Sequence, residues 1–484
     1  MKRYLFILLL YPILFFAQNE LESSILPIIS INTENQIIQD DDRIICFMGI
    51  INSEGFNNIN DDYNDYSGRI SIELRGESSM LFPKKAYSIE TQDSLGNNNN
   101  ISLLGMPEEN DWVLYAPYGD KSYFRNVLTY KLYEKMGYYS PRFRFCDLYV
   151  NNEYKGVYVL IEKIKRDKNR ININEQENLN DLSGGYILQV DRASSNSDKY
   201  WTSSFNDSIY FQYIYPKWSK INYNQKQYIE EYIHEFEQLL FNSQPNNLSE
   251  IYSNVINISS FVDYFIISEL SKNIDAYRLS TYLYKDHKNI DNRLNIGPIW
   301  DFNWAYGNTT YCEGDLFSGW EGDTPCGVYN PFWYSVFRAD STFNNFLKCR
   351  WIYYRNDFLN ENYIFSFIDS LATNYSEEIN KDMLHWGHSQ NTSHDFEINK
   401  LKNWISQRIN WIDNNIEGLC QQNQILHNPK LIYVTDILGN ILYDFSQNKD
   451  FQYLNYQFLK LTNKVIFLIY DDSSVEKKII FDKY

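Results

Sequence analysis

Four side chains, met in the order Lys85, Glu162, Asp275 and Asp301, carry the chemistry that this sequence offers. Asp301 lies in IGPIWDFNWAYGN (residues 296–308), a carboxylate set in a run of aromatic and apolar residues. An ionised carboxylate is costly to hold there alone, so the segment implies a cation or another strong partner. Phosphoryl transfer asks for such a set. A lysine neutralises phosphate oxygens and a glutamate holds that lysine. One aspartate receives the acceptor hydroxyl, and another holds the metal that bridges the phosphates. The order Lys, Glu, base Asp, metal Asp is that of protein kinases. Order alone discriminates little, because any long chain offers some such series.

The elements around these residues are legible in outline. Lys85 opens a strand in RGESSMLFPKKAYSIE (75–90), behind Arg75, Gly76 and two serines, with Lys84 beside it as a rival. Glu162 ends the strand GVYVLIE, and Asp275 stands just past a helix on the loop of NIDAYRLSTYLYKD (273–286). Plainer readings exist: Lys85 and Glu162 as surface charges, and Asp275 as a turn residue. Arg75, Arg125 and Asn126 are weaker site candidates, because polar side chains often serve the backbone. Strand-like runs fill residues 26–215, with one helix expected near 123–136. Beyond residue 220, Ile229, Ile233, Phe236 and Leu240 recur at helical spacing. SSFVDYFIISELSKN reads as a second helix opened by serine caps, and STYLYKD and LNIGPIWDF as returning strands. Residues 331–416 read as mostly helical, with Ile398, Leu401, Ile405 and Ile412 on one buried face. The expected fold is α+β: a sheet-rich lobe, then a helix-rich lobe, with a cleft between them. The tail, 429–484, reads as a separate small β module whose first hairpin turns at LGN.

Bulk properties limit the classes. The 484 residues are 44% hydrophobic, enough for a sizeable core, and the net charge of −18 argues against a nucleic-acid partner or an anionic membrane. Lys2, Arg3, the apolar run 4–16 and Ala17 read as a cleaved export signal, residues 1–17, since the run is short for a span of about 20 residues. No transmembrane segment is expected in the mature chain. Export makes disulfides plausible among the six cysteines, and Cys312–Cys326, flanking a Gly-rich loop, is the first pairing to expect. His385, His388 and His394 lie close in sequence but lack the spacing of a zinc frame. Trp300, Trp304, Trp320 and Trp333 suit core packing, or a groove for glycan or peptide.

Several segments together bring in a resemblance. RGESSMLFPKKAYSIE, LLGMPEENDWVLYAPYGDKSYFRN, LYVNNEYKGVYVLIEKIKRDKNRI, GGYILQVDR, LSKNIDAYRLSTYLYKD and IGPIWDFNWAYGN, in that order, resemble the CotH kinase family of atypical secreted or surface kinases. With their flanks they span about residues 26–416, within a domain taken as 18–420. The resemblance implies a divergent, two-lobed kinase-like fold. It implies ATP and Mg²⁺ or Mn²⁺ as cofactors, and a protein substrate with an exposed serine. It implies roles as well: Asp275 as catalytic-loop aspartate, and Asp301 as metal ligand with Asn303 joining. Lys85 would bind the nucleotide phosphates, with Arg75 and Lys84 as further binders, and Glu162 would be the lysine's partner. Kinase catalytic loops carry a metal-binding asparagine where this chain has Ser280. Ser280 is read either as a weaker ligand or as a strand residue without a site role. The tail segments VTDILGNIL and KVIFLIYDDSSVEKKII resemble sorting modules of type IX secretion substrates in Bacteroidota, which implies export across the outer membrane and a secreted or surface location. The alternatives are a nucleotide-binding pseudokinase and a secreted adhesion or matrix-binding protein.

Overall fold

Ile70 and Ile72, Trp112 and Leu114, Cys146 and Leu148, and Tyr158 and Leu160 alternate along their strands, and all point into one buried cluster. Period-two burial of this kind needs a sheet curled around its own apolar face. The computed structural model shows that sheet as a closed barrel, and it describes residues 23–40, 42–176, 181–243, 248–323 and 330–420, with four strands beyond. The barrel strands are β1 (Ile28–Asn32), β2 (Ile44–Ile51), β3 (Tyr66–Arg75), β4 (Ala86–Gln92), β5 (Asp111–Tyr115), β6 (Phe143–Val150) and β7 (Glu153–Glu162). Their order is β1-β2-β3-β4-β5-β7-β6, and the parallel pairing of β1 with β6 closes it. The expected hairpin at NNEYK is β6–β7, with Val150 opposite Glu153.

Between β5 and β6 runs α1 (Arg125–Lys135), within the expected 123–136. β8 (Tyr186–Asp191), β9 (Tyr200–Thr202) and β10 (Tyr210–Tyr215) stay out of the barrel. β8 pairs with β10 on one side and with β11 (Thr281–Lys285) on the other, and β11 with the two-residue β12 (Asn295–Ile296). This second sheet therefore draws strands from both sides of residue 220. The strand expected over LNIGPIWDF ends after Ile296: Gly297 turns to a φ of 117° and Pro298 offers no N–H for a ladder.

The helices follow their periodicity. α2 (Tyr223–Asn242) buries Ile229, Ile233, Phe236 and Leu240 and starts on an Asn222–Gln225 capping box. A short α3 (Ser249–Asn254) leads to α4 (Ile258–Ser271), where Asn257, not a serine, holds the N-cap position. α5 (Trp333–Ala339), α6 (Ser341–Arg355), α7 (Glu361–His385) and α8 (His394–Asn415) fill the stretch expected to be helical. Ile398, Leu401, Ile405 and Ile412 form the buried face of α8. The fold is α+β. Among the described residues no helix is long and apolar enough to cross a membrane.

A disulfide joins Cys349 on α6 to Cys420, across 71 residues. Cys312 is also disulfide-bonded, but Cys326 lies outside the described residues, as does the whole export signal. Reducing the Cys349–Cys420 bond is expected to cost ~2–4 kcal/mol of stability by freeing that loop in the unfolded chain. Urea unfolding of the wild type against a Cys349→Ser, Cys420→Ser double variant checks it. The tail forms a four-stranded antiparallel sheet in the order Ile441–Asp444, Leu431–Asp436, Lys464–Tyr470, Val475–Ile480. The LGN turn lies outside the described residues.

Candidate active site

α1 holds the Asp301 segment in place. Asn126 Oδ1 accepts the Phe302 N–H at 2.6 Å, and Arg125 Nε donates to the Ala305 carbonyl at 3.0 Å. Arg125 is itself fixed by a buried ion pair with Asp120. Thr129 Oγ1 bonds the Tyr306 hydroxyl at 3.1 Å. Asn273 Nδ2, just past α4, donates to the Asp301 carbonyl at 3.3 Å, which ties the Asp275 loop to the Asp301 loop. Asp301 adopts a φ of 65°, the left-handed region that short polar side chains tolerate best after glycine. Arg125 and Asn126 thus do backbone work beneath the site.

Above that floor is a cavity of about 570 Å³. Its walls come from the ends of β3 and β4, from β5 and β7, from β8 and β11, and from the loops carrying Asp275 and Asp301. Asp275, Asp301, Asn303, Ser280, Arg75 and Lys84 all line it. Burial raises the Asp301 carboxyl to about 7, and the negative charges of Asp275 and Asp191 push the same way while Arg75 opposes them. Burial also raises Asp275, against the pull of Arg278 and Arg192. Asn303 Oδ1 and Arg75 Nη1 are buried without a hydrogen-bond partner among the described residues. The Arg75 guanidinium lies over the Trp300 ring at 5.2 Å. A carboxylate short of positive charge and an unused amide oxygen on one cavity fit a divalent cation, and an unused guanidinium N–H fits a phosphate oxygen. Among the described residues no three His, Cys, Asp or Glu side chains group to hold an ion by themselves. Mg²⁺ in phosphate-transfer sites commonly takes only one or two carboxylates and completes its shell with substrate phosphates and water.

The expected lysine–glutamate pair is not formed: Lys85 turns back on Met80 and Glu162 pairs with Arg142. Lys84 and Ala86 line the cavity and Lys85 does not; both lysines precede β4, and the Lys84 ammonium is buried against Asp382 and the Val157 carbonyl. Lys85 Nζ donates back to the Met80 carbonyl at 2.5 Å. At the end of β7 it is Ile161 that lines the cavity. Glu162 points to the opposite side, where Arg142 Nη1 meets its carboxylate at 2.9 Å and Arg170 Nε lies at 3.9 Å. A buried lysine–carboxylate pair does stand at the cavity wall, with other members: Lys84 Nζ lies 2.7 Å from Asp382 Oδ2 on α7.

Ser280 lies at the cavity just before β11, with a φ of 49°, and its backbone N–H bonds the Asp191 carboxylate. Asp191, at the end of β8, is a third aspartate on the wall that the sequence reading passed over. Its signal was present in GGYILQVDR, where a charge ends a strand. Asp382 had no local signal, standing 298 residues from Lys84. The histidines form no centre. His394 bonds Ser376 and the Ser122 carbonyl at 2.9 and 3.1 Å, and His388 packs on Tyr118. The tryptophans divide: Trp300 and Trp304 line the cavity, while Trp333 is fully buried and Trp320 packs on Trp411.

With this geometry in hand, comparison with known proteins is decisive at the family level. The family model described as CotH kinase protein matches residues 72–412, a span that includes every candidate site residue. The chain belongs to the CotH kinase family. Its function is therefore kinase-like, in a family that uses ATP and a divalent metal. No curated protein matches this CotH kinase sequence significantly. The crystal structure of a Helicobacter pylori proinflammatory kinase, CtkA, is similar at 10% identity and a TM-score of 0.26, over 68% of this chain and 94% of that one. At that score no residue can be carried from one chain to the other.

Proposed function

We propose that this CotH kinase family member transfers the γ-phosphoryl group of ATP to a serine, or another hydroxyl, of a protein outside the cytoplasm. One observation carries the reading: Asp275, Asp301, the unpartnered Asn303 Oδ1 and the unpartnered Arg75 Nη1 converge on one cavity. The acceptor oxygen attacks the γ-phosphorus, the bond to the β–γ bridging oxygen breaks, and ADP leaves. Asp275 orients the acceptor hydroxyl and takes its proton. Burial makes its carboxylate a better proton acceptor than an exposed aspartate. Asp301 and Asn303, with Ser280 as a weaker third group, would hold Mg²⁺ or Mn²⁺, which neutralises phosphate charge when bound. Arg75 directs its free N–H at the phosphates, in the part first given to Lys85. Lys84, fixed by Asp382, adds a positive charge to the wall.

Extracytoplasmic placement rests on the export signal and is supported by the Cys349–Cys420 bond. The domain taken as 18–420 would carry the kinase. The tail, 429–484, would serve as a sorting module for outer-membrane secretion machinery.

The test is label transfer from ATP with Mg²⁺ or Mn²⁺ to the protein itself and to serine peptides, beside folded Asp275→Ala and Asp301→Ala. The wild type is expected to take label, and Asp275→Ala to lose ~10²–10⁴-fold in rate. Ser280, in place of an asparagine, favours a second reading: a nucleotide-binding module without turnover. A metal-dependent nucleotide shift in melting temperature without label would select it. No label and no shift would sink the phosphoryl-transfer reading.

A further inference from the structure

The cavity has a mouth, and one ion pair spans it. Glu77 belongs to the loop between β3 and β4, and Arg192 follows β8 in the second sheet. Both line the cavity, and Arg192 Nη1 lies 2.7 Å from Glu77 Oε2. The two side chains are 58% and 66% exposed, so this bridge between barrel and second sheet is solvated and weak. The deeper bridges are of another kind: Lys84–Asp382 and Arg125–Asp120 have fully buried side chains. Arg192 and Asp275 line the same cavity. The Arg192 backbone is held on both sides: its carbonyl accepts from Gln212 Nε2 at 2.8 Å, and its N–H donates to Asp191 Oδ1 at 2.8 Å.

We propose that Arg192 is an exchangeable anion-binding residue, held by Glu77 while the cavity is empty and transferred to the terminal phosphate when a nucleotide triphosphate enters. This rests on the phosphoryl-transfer reading and adds a residue and a step to it. A guanidinium makes shorter, paired hydrogen bonds to a phosphate carrying more than one charge than to a single solvated carboxylate, so the exchange runs toward the ligand. Glu77 is then a competitor for Arg192, and its release frees the loop to settle over the phosphates.

Competition makes a prediction that a simple clasp does not. If the pair only closes the mouth, removing either partner breaks the same bridge and shifts nucleotide affinity in the same direction. If Arg192 is exchanged, the variants part. Arg192→Gln is expected to weaken Mg·ATP binding by ~10-fold. Glu77→Gln should tighten it by up to ~5-fold, since an exposed pair holds Arg192 by no more than that. The experiment is titration of the full chain and both variants with Mg·ATP and, separately, Mg·ADP, read by intrinsic tryptophan fluorescence and melting temperature. Opposite signs, with a larger Arg192→Gln effect for ATP than for ADP, are the expected result. Equal effects on ATP and ADP would overturn the assignment to the terminal phosphate. Shifts of the same sign in the two variants, or none, with wild-type binding intact would overturn the exchange and leave the kinase reading standing. Absence of nucleotide binding in the wild type would overturn both.

Discussion

Asp301→Asn is expected to abolish phosphoryl transfer while making the metal-free protein more stable. The functional loss should reach ~10³-fold, because the carboxylate is the main anionic ligand offered to the cation beside the phosphates. The gain in stability has the same origin. Asp301 is raised from 3.8 to about 7 by burial and by the charges of Asp275 and Asp191, so its ionised form is destabilised in the folded state. Asparagine keeps the shape, tolerates the φ of 65° and carries no charge.

The pH dependence fixes the sign. With a folded pKa above the unfolded one, folding favours the protonated carboxyl. That contribution is fully present below about pH 4 and is lost as pH rises through about 7. Wild-type protein in a chelator should therefore lose stability across this window relative to Asp301→Asn, with the difference level above it. The shift corresponds to at most ~4 kcal/mol, less for the water that reaches a side chain on an open cavity. Urea unfolding of both proteins with EDTA, at pH 5 and pH 8, measures it. A variant less stable than wild type at pH 8 would mean that Asp301 is held by protein groups and was never waiting for a cation.

Legibility in the sequence divided along a physical line. Periodicity reads out whatever depends on neighbours a few residues apart. The helices α2 and α8 came from Ile229, Ile233, Phe236 and Leu240 and from Ile398, Leu401, Ile405 and Ile412, and the β6–β7 hairpin from NNEYK. Asp301 was singled out by local cost, a charge among aromatics, and its loop and the Asp275 loop both line the cavity. Lys85, Glu162 and Asp275 were assigned by order along the chain, and order cannot tell which way a side chain points. On β7 a one-residue step separates the cavity from the far side, so Ile161 stands where Glu162 was expected, and in the irregular stretch before β4 it is Lys84, not Lys85, that lines the wall. The second sheet was missed for a related reason. β8 and β11 are each legible as strands, but their pairing joins Leu188 to Leu283, and no local pattern encodes a partner that distant. Asp382 belongs to the same class.

Lys84→Met should be the most destabilising single change near the site, at ~3–5 kcal/mol, because it strands a buried carboxylate. Asp382 lies on α7 and gathers donors from three other segments. Lys84 Nζ reaches its Oδ2 at 2.7 Å, the Val157 N–H of β7 reaches its Oδ1 at 2.9 Å, and the Tyr123 hydroxyl bonds Oδ2. Gly156 must be glycine for this to form: its φ is 103°, and a Cβ there would stand 1.8 Å from Asp382 Oδ1. Burial draws the Lys84 ammonium below the usual lysine range, Asp382 opposes that pull, and the Val157 carbonyl takes a further hydrogen bond at 2.7 Å. Removing the lysine alone leaves two neutral donors to carry a full charge in a dry place. Removing both, as Lys84→Met with Asp382→Leu, should recover much of the loss, as apolar replacements of buried pairs often do. Lys85→Met, one residue on, should cost less than ~0.5 kcal/mol, since that ammonium is partly exposed and meets only a local carbonyl. Urea unfolding of the three variants tests the ranking, and Mg·ATP titration of the double variant tests the role. If Lys84 contributes its charge to the phosphates, the double variant regains stability but binds nucleotide weakly. If it binds as wild type does, the pair is a strut between α7 and the barrel, and Arg75 with Arg192 makes up the anion site without it.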